Sequence, residues 1–193
     1  MKKDVMILTG AGQIGMAIAR RMGYGKKIVI GDKNPDNAQA VAKIMNDAGY
    51  DADAVEMDLS SRESIKNLIA KAQEYGDITM LVNAAGVSPS QAPVEAILKL
   101  DILQPENIRD TLHAYQMAKR CNEKRVMAES VKWGEKGARI NSISPGIIVT
   151  PLAIDEFNGP RGDFYKNMFA KCPAGRPGTA DEVANVAFQP FFK

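Results

Sequence analysis

A glycine-rich turn between a short apolar segment and a helical segment constrains the fold of this chain more than any other feature. Residues 5–9 (VMILT) are apolar, residues 10–15 read GAGQIG, and residues 14–22 have helical spacing. This G-x-G-x-x-G spacing between a strand and a helix allows a tight turn and a close approach of the backbone to a pyrophosphate. It predicts the first strand, turn and helix of a dinucleotide-binding sheet.

The same alternation of short apolar and longer amphipathic segments continues through the first half of the chain. It predicts the order β-α-β-α-β-α-β, which is typical of a parallel sheet covered by helices on both faces. The predicted strands are 5–9, 27–32, 52–57 and 78–83, and the helices between them are 14–22, 37–48 and 61–74. The expected fold class is therefore α/β, a Rossmann-like doubly wound parallel sheet.

The second half of the chain has a less regular pattern. The predicted elements are a long helix at about 105–133, a strand at 139–144, and a mobile excursion, rich in Pro and Gly, at about 150–178 with one short helix at 163–171. Residues 179–182 (TADE) have capping-box spacing, which predicts that a last helix begins there. We expect a single domain over 1–193, with the excursion on the substrate side.

Composition and charge argue against several classes of protein. Lys and Arg number 25 against 23 acidic residues and are scattered, so no nucleic-acid partner is expected. No apolar run approaches the ~18 residues of a membrane span, and no signal peptide is recognised. Cys121 and Cys172 have no metal-ligand spacing and His113 is the only histidine, so no metal site is predicted. We expect a cytoplasmic protein with free thiols and no membrane partner.

Asp32 ends the second predicted strand, 22 residues after Gly10. A carboxylate at this point can accept hydrogen bonds from both hydroxyls of an adenosine ribose, and it would repel a 2′-phosphate. The turn and this carboxylate together predict a nicotinamide cofactor, NAD in preference to NADP, although the neighbouring Lys33 weakens that preference. The alternative is a glycine-permissive turn with an incidental surface carboxylate.

Tyr115 and Lys119 lie four residues apart in the predicted long helix, so their side chains share one helix face. An isolated tyrosine phenol ionises near pH ~10, and a nearby ammonium favours the phenolate. Such a pair can move a proton at a carbinol while hydride passes to a nicotinamide. Taken alone, a Tyr and a Lys at this spacing more often form a solvated helix face.

Six segments, in order along nearly the whole chain, resemble the short-chain dehydrogenase/reductase family. They are Thr9-Gly10 with Gly12 and Gly15, Asp58-Leu59, residues 83–86 (NAAG), Tyr115 with Lys119, residues 141–150 (NSISPGIIVT), and residues 174–178 (AGRPG) followed by 181–184 (DEVA). The resemblance implies a nicotinamide cofactor, a small alcohol or ketone substrate, and a homo-oligomer, either a dimer or a tetramer. Tyr115 and Lys119 are the implied catalytic residues. The cofactor-binding residues predicted from the turn and the resemblance are Gly10, Gly12, Gln13, Ile14, Gly15, Asp32, Asp58, Leu59, Asn83, Ala84, Ala85, Gly86, Tyr115, Lys119, Pro145, Gly146, Ile148 and Thr150.

The chain departs from the family pattern in three places. Ile14 stands where the family has the second of its three glycines. Only residues 87–114 separate the NAAG segment from Tyr115, which is too short for the family's helix and its strand bearing the catalytic Ser. Ser88 and Ser90 belong to a Pro-rich turn, and Asp101 falls near the position of the family's catalytic Asn. A last strand is missing as well.

Two accounts of the short interval stay open. In the first, segments of a longer chain are omitted, which predicts a spatial break within 98–104 and a second one near 187–189. In the second, the chain is an eroded relative that has lost the Ser strand. The matching functions are an NAD(P)-dependent oxidoreductase acting on a secondary alcohol or ketone with Tyr115 as acid/base, and a non-catalytic protein that binds or senses NAD(H). The substrate itself is left open.

Overall fold

The computed structural model describes residues 2–86 and 108–189. The chain divides into two compact units, which are described separately below. The first unit consists of Met1–Ala85 with Pro145–Lys193, and the second unit is Gly86–Ser144. The expectation of a single domain over 1–193 stays a prediction.

The first unit is built on a parallel four-stranded sheet in the order β3-β2-β1-β4. The strands are β1 (Lys3–Thr9), β2 (Lys27–Asp32), β3 (Asp51–Glu56) and β4 (Gly76–Asn83). Each lies within two residues of its predicted bounds, and β2 matches them at both ends. In the register of the sheet, Thr9 of β1 pairs with Gly31 of β2 and with Asn83 of β4. The carboxyl ends of these three strands therefore meet at one edge of the sheet.

Helices cover both faces of this sheet, as the sequence pattern predicts. The helices between the strands are α1 (Gln13–Met22), α2 (Pro35–Asp47) and α3 (Arg62–Tyr75). Alternate residues of β1 point to opposite faces, because side chains alternate along a strand. Met6 and Leu8 pack with α1 and α2, whereas Val5 and Ile7 pack with Leu68 of α3. The Rossmann-like α/β fold is thus confirmed.

The second unit contains one long helix among its described residues, α4 (Thr111–Gly134). It begins at an N-cap, Asp110, whose carboxylate accepts a hydrogen bond of 2.8 Å from the N–H of His113. The helix starts later than predicted and ends within a residue of the prediction. Most of its side chains are exposed, and Ala114 is the buried exception.

The strand predicted at 139–144 is wrong. Residues 139–144 have no regular secondary structure, and the described residues supply no strand beside them with which to form a ladder. An apolar alternation becomes a strand only when a neighbouring backbone satisfies its N–H and C=O groups. The last residue of the segment makes a side-chain contact instead: the Ser144 hydroxyl donates a hydrogen bond of 2.5 Å to Glu123 of α4.

The excursion at 150–178 contains two helices, whereas one was predicted. They are α5 (Pro151–Asn158) and α6 (Gly162–Lys171), and α5 is the helix that the sequence pattern missed. Edge-to-face aromatic contacts join them, with the ring of Phe157 5.5 Å from Tyr165 and 5.0 Å from Phe169. The mobility of this excursion stays a prediction.

The capping box predicted at 179–182 is present and starts α7 (Ala180–Phe188). The Thr179 hydroxyl accepts a hydrogen bond from the N–H of Glu182, and the Glu182 carboxylate accepts one from the N–H of Thr179. Val183, Ala184 and Ala187 are buried in the core cluster that contains residues of α1.

The spatial break expected near 187–189 is wrong. Helix α7 continues through Phe188, and its C-cap Gln189 keeps helical dihedral angles, φ −59° and ψ −43°. Buried Ala187 also fixes this turn against the core. The other expected break, within 98–104, lies outside the described residues.

Over 2–86 and 108–189, no helix combines the length and the apolar character needed to cross a membrane. In the same two stretches, no group of three or more His, Cys, Asp or Glu side chains is placed to hold a metal ion.

We expect Thr179→Ala to lower the free energy of unfolding by about 1 kcal/mol, because it removes the N-cap of a helix that packs into the core. Chemical denaturation followed by circular dichroism measures this change. Thr179→Ser is the matched control, since it keeps the capping hydroxyl and should stay close to the unmodified protein. Equal stability of Thr179→Ala and the unmodified protein would contradict the prediction.

Candidate coenzyme and acid–base site

The glycine-rich turn is held between the carboxyl ends of β2 and β4. The N–H of Gly10 donates a hydrogen bond of 2.8 Å to the carbonyl of Gly31. Gly10 has φ +88°, in the region that favours glycine, and a Cβ built on it would lie 2.6 Å from the backbone of Ala85. Only a glycine therefore fits at this position.

Gly15 lies in a crowded part of the same turn, whereas Gly12 faces open space. A Cβ on Gly15 would lie 2.7 Å from the Gly10 carbonyl oxygen and 3.2 Å from the Ala84 side chain, so Gly15 allows α1 to pack closely. A Cβ on Gly12 would meet nothing within 4 Å. Gly12 is also the N-cap of α1 and offers no capping side chain, and the first turn of α1 holds no acidic residue. The positive end of this helix is therefore open to an anion.

Asp32 is half-buried at the end of β2 and joins two backbone segments. Its Oδ2 accepts a hydrogen bond of 2.7 Å from the N–H of Ala11, and its Oδ1 accepts one of 2.9 Å from the N–H of Asn34. An ionised carboxylate has about four acceptor positions, so both oxygens can accept further hydrogen bonds. Asp32 thus shapes the turn in addition to its predicted contact with a ribose, and no sequence pattern predicted that anchoring role.

Asp58 lies at the start of the segment after β3, and its carboxylate is strongly held in the ionised form. The Ser60 hydroxyl and N–H donate to Oδ1, and the Lys33 ammonium lies 3.0 Å from Oδ2. These contacts lower the pKa of Asp58 to about 2, with Ser60 the largest cause. The neighbouring Leu59 is 42% exposed.

The end of β4 is tied to the end of β1. The buried Thr9 hydroxyl donates a hydrogen bond of 2.7 Å to Oδ1 of Asn83, and the N–H of Ala84 donates one of 2.9 Å to the Thr9 carbonyl. The structure therefore brings Asn83, Ala84 and Ala85 against the glycine-rich turn. The sequence reasoning did not identify Thr9 as the residue that fixes Asn83.

The segment that contains Pro145, Gly146, Ile148 and Thr150 is also part of the first unit. Ile148 forms a parallel bridge with Gly178 and packs against the core cluster that also contacts Ala11 and Ile14. The Thr150 hydroxyl accepts a hydrogen bond of 3.2 Å from the N–H of Ala153 and caps α5. Thr150 was predicted only as a cofactor contact, and the structure shows that its hydroxyl also caps a helix.

Tyr115 and Lys119 lie on successive turns of α4 in the second unit. The Lys119 ammonium is 5.4 Å from the centre of the Tyr115 ring, as their spacing predicts. Gly86, the last residue of the NAAG segment, lies beside them, since a Cβ built on it would be 3.5 Å from Nζ of Lys119. Tyr115 is half-buried and Lys119 is exposed.

The residues of the first unit fit the pyrophosphate end of a dinucleotide. The empty space at Gly12 leaves room for a pyrophosphate to approach the backbone N–H groups. The first turn of α1, which has no capping side chain, provides those N–H groups as donors. Asp32, half-buried at the neighbouring strand end, supplies a carboxylate with acceptor positions to spare. A nicotinamide coenzyme therefore fits what these residues offer.

Comparison with known proteins gives matches along almost the whole chain. The family model described as short chain dehydrogenase matches residues 4–105, and the model described as enoyl-(acyl carrier protein) reductase matches residues 95–189. The short-chain dehydrogenase/reductase bsc3 of Alternaria brassicicola is 28% identical, with 97% of this chain and 88% of that protein covered. The 2,5-dichloro-2,5-cyclohexadiene-1,4-diol dehydrogenase LinX of Sphingobium indicum is 30% identical, and the match covers 96% of this chain and 87% of that protein.

Among solved structures, an actinorhodin polyketide ketoreductase with NADPH superposes with a TM-score of 0.79. The two chains are 21% identical, and the match covers 96% of this chain and 88% of the ketoreductase. The sequence matches establish the relationship, and this chain belongs to the short-chain dehydrogenase/reductase family.

The comparisons also show that this chain is shorter than the stretch of a relative that it matches. The match to bsc3 runs over 242 positions, 49 more than the 193 residues present here, so at least 49 of those positions have no counterpart in this chain. The two family models meet at residues 95–105. These residues lie within the interval 87–114, which was predicted from the sequence to be too short for the family's Ser-bearing strand.

We expect Gly10→Ala to destabilise the protein by about 1–3 kcal/mol, because a Cβ there meets the Ala85 backbone and φ is positive. Gly12→Ala should cost less, since its Cβ would meet open space and only the preference for glycine over alanine at the N-cap of α1 is lost. Thermal unfolding of the two variants measures the difference, and the Gly12 variant serves as the control. The interpretation of the turn is wrong if Gly12→Ala is the more destabilising change.

Proposed function

We propose that this chain is an NAD(P)-dependent oxidoreductase that transfers hydride between a nicotinamide coenzyme and a secondary alcohol or ketone. The observation that carries the proposal is the Lys119 ammonium held 5.4 Å from the Tyr115 ring on one face of α4, beside Gly86. Because the same contact can form on a solvated helix face, the pair supports the assignment together with the coenzyme-binding features of the first unit. Membership in a family of oxidoreductases supports the same assignment.

The coenzyme would be held mainly by the first unit. The N–H groups at the start of α1, around Gly12, would bind the pyrophosphate. Asp32 would accept hydrogen bonds from the adenosine ribose, and Asp58 and Leu59 would border the adenine. The remaining contacts are proposed from the residues that the sequence predicted: Gly10, Gln13, Ile14, Gly15, Asn83, Ala84, Ala85, Gly86, Pro145, Gly146, Ile148 and Thr150.

Tyr115 would act as the general acid/base. In the direction of oxidation its phenolate oxygen takes the proton of the alcohol hydroxyl, and in the direction of reduction the phenol returns that proton to the carbonyl oxygen. The Lys119 ammonium, which lies beside the Tyr115 ring, would stabilise negative charge that develops on the phenol oxygen during the proton transfer, and it can donate a hydrogen bond to a ribose hydroxyl. When bound, the nicotinamide accepts or supplies the hydride.

NAD is the proposed coenzyme in preference to NADP. Asp32 places a negative charge where a 2′-phosphate would lie, and such a charge repels it. Lys33 is the nearest cation in sequence that could attract that phosphate, but its ammonium is paired with Asp58 at 3.0 Å. This ion pair lowers the ability of Lys33 to offset the charge of Asp32.

The proposed substrate is a small secondary alcohol or ketone whose carbon skeleton is left open. Cyclic secondary alcohols are the first compounds to test, since the relative LinX is named for a cyclohexadienediol. A homo-oligomer and a cytoplasmic location belong to the same proposal and are supported by the family and the composition.

A non-catalytic protein that binds NAD(H) is the second candidate, and the short interval favours it. At least 49 positions of a relative have no counterpart here, and residues 108–189 contain no strand that could carry a catalytic Ser. The two candidates share the coenzyme site of the first unit. They differ in whether Tyr115 takes part in catalysis.

We expect Asp32→Ala to weaken NAD binding about tenfold or more, because it removes charge-assisted hydrogen bonds, and to shift the preference toward NADP. Dissociation constants for NADH and NADPH, measured by fluorescence titration, give the ratio. Asp32→Ala also removes the hydrogen bond from Ala11, which weakens the binding of NADH and of NADPH alike. The ratio of the two dissociation constants is therefore the informative quantity. Asp47→Ala, at an exposed carboxylate of α2, is the control, and tighter binding of NADPH than NADH by the unmodified protein would refute the preference.

We expect Tyr115→Phe to lower kcat by about 10²–10⁴-fold while NADH affinity changes only a few-fold, since only the phenolic oxygen is removed. Absorbance of NADH with a panel of cyclic alcohols and ketones measures the rate. Tyr24→Phe is the matched control, because Tyr24 is 86% exposed. NADH binding without turnover in the unmodified protein would favour the non-catalytic candidate, and normal turnover in Tyr115→Phe would remove Tyr115 from the mechanism.

A further inference from the structure

Three ionisable side chains follow one another on successive turns of α4. Tyr115, Lys119 and Glu123 are spaced by four residues, so their Cβ atoms are neighbours about 5–6 Å apart on the helix surface. Side chains of a helix lean toward its N-terminus. Lys119 therefore leans toward Tyr115, and Glu123 leans toward Lys119.

Glu123 is a direct competitor of Tyr115 for the Lys119 ammonium. A lysine and a glutamate at this spacing commonly form an ion pair on an exposed helix. Among the ion pairs of the described residues, none joins Lys119 to Glu123 within 4.0 Å, and the Lys119 ammonium lies over the Tyr115 ring instead. The carboxylate of Glu123 makes a different contact.

That contact comes from Ser144, outside the helix. The Ser144 hydroxyl donates a hydrogen bond of 2.5 Å to Oε1 of Glu123. A hydrogen bond to a carboxylate is charge-assisted and among the stronger ones in proteins. Both residues belong to the second unit, as do Tyr115 and Lys119, so the whole arrangement is internal to it.

We propose that Ser144 is a positioning residue for the Tyr115–Lys119 pair: by holding Glu123, it keeps the carboxylate from drawing the Lys119 ammonium away from the phenol. The inference rests on the proposed function, because it assigns Ser144 a part in the acid–base step. Ser144 itself touches neither the phenol nor the ammonium. Its effect is exerted wholly through Glu123.

The test is a double-mutant cycle on the full chain. Ser144→Ala frees Glu123 to pair with Lys119. An ion pair of ordinary strength on a helix would lower the fraction of molecules with Lys119 beside Tyr115 about twofold, and kcat should fall by the same factor. Glu123→Gln should have nearly normal kcat, because the amide carries no charge. The double variant Ser144→Ala with Glu123→Gln should recover the lost rate, since the competitor has gone. Ser130→Ala, which removes a hydroxyl bonded only to the Met127 carbonyl of the same helix, is the matched control.

Salt separates this effect from a structural one. At about 1 M salt the screening length falls to ~3 Å, so the deficit of Ser144→Ala should disappear. A deficit that persists at high salt, or one that Glu123→Gln does not rescue, overturns the proposal and assigns Ser144 a packing role. Equal rates of Ser144→Ala and the unmodified protein at low salt overturn it as well.

A readout independent of turnover distinguishes this inference from the proposed function. Lys119 is also proposed to bind a ribose hydroxyl of the coenzyme, so NADH affinity, measured by fluorescence titration, reports the position of its ammonium. Ser144→Ala should weaken NADH binding up to about twofold, and the double variant should restore it. If no alcohol or ketone is turned over, the proposed function fails, and this binding measurement alone decides whether Ser144 controls Lys119.

Discussion

The close contact between Gly10 and the backbone at Ala84 and Ala85 is the constraint on which the candidate coenzyme site depends. Without a side chain at Gly10, the first turn can lie against the end of β4 while its N–H bonds to Gly31 of β2. Three strand ends and the start of α1 are thereby brought to one place. Asp32 then fixes the same turn from the side through the N–H of Ala11. The open space at Gly12 is a consequence of this packing.

The central strands β1 and β2 were predictable because they are buried on both faces of the sheet. A parallel strand such as β2 is a continuous apolar run, and its bounds follow from the residues that interrupt it. The segment 139–144 (RINSIS) has only two large apolar residues and no neighbouring strand among the described residues, and a single segment does not show whether it has a strand to pair with. Helix α5 was missed because it is one short run that begins at Pro151, within a stretch whose prolines and glycines suggest a loop.

The candidate site was predictable in its positions and not in its contacts. Spacing along the chain predicted the turn and Asp32, whereas the Tyr115–Lys119 pair was singled out by the resemblance to the family, because its spacing alone is also typical of a solvated helix face. The pairing of Lys33 with Asp58 and the hydrogen bond between Ser144 and Glu123 join residues far apart in sequence. Side chains of these types have many possible partners, so only the three-dimensional structure selects one.

The pairing of β1 with β4 has a consequence for how the chain reaches its fold. Thr9 and Asn83, whose side chains bond across this pair, are 74 residues apart, whereas β1 and β2 are close in sequence. Closing so long a loop costs entropy before any contact repays it. During synthesis, β1 and β2 can associate early, but the turn at Gly10 lacks its packing surface until Ala85 has been made. Assembly of the coenzyme-binding edge is therefore a late event in folding.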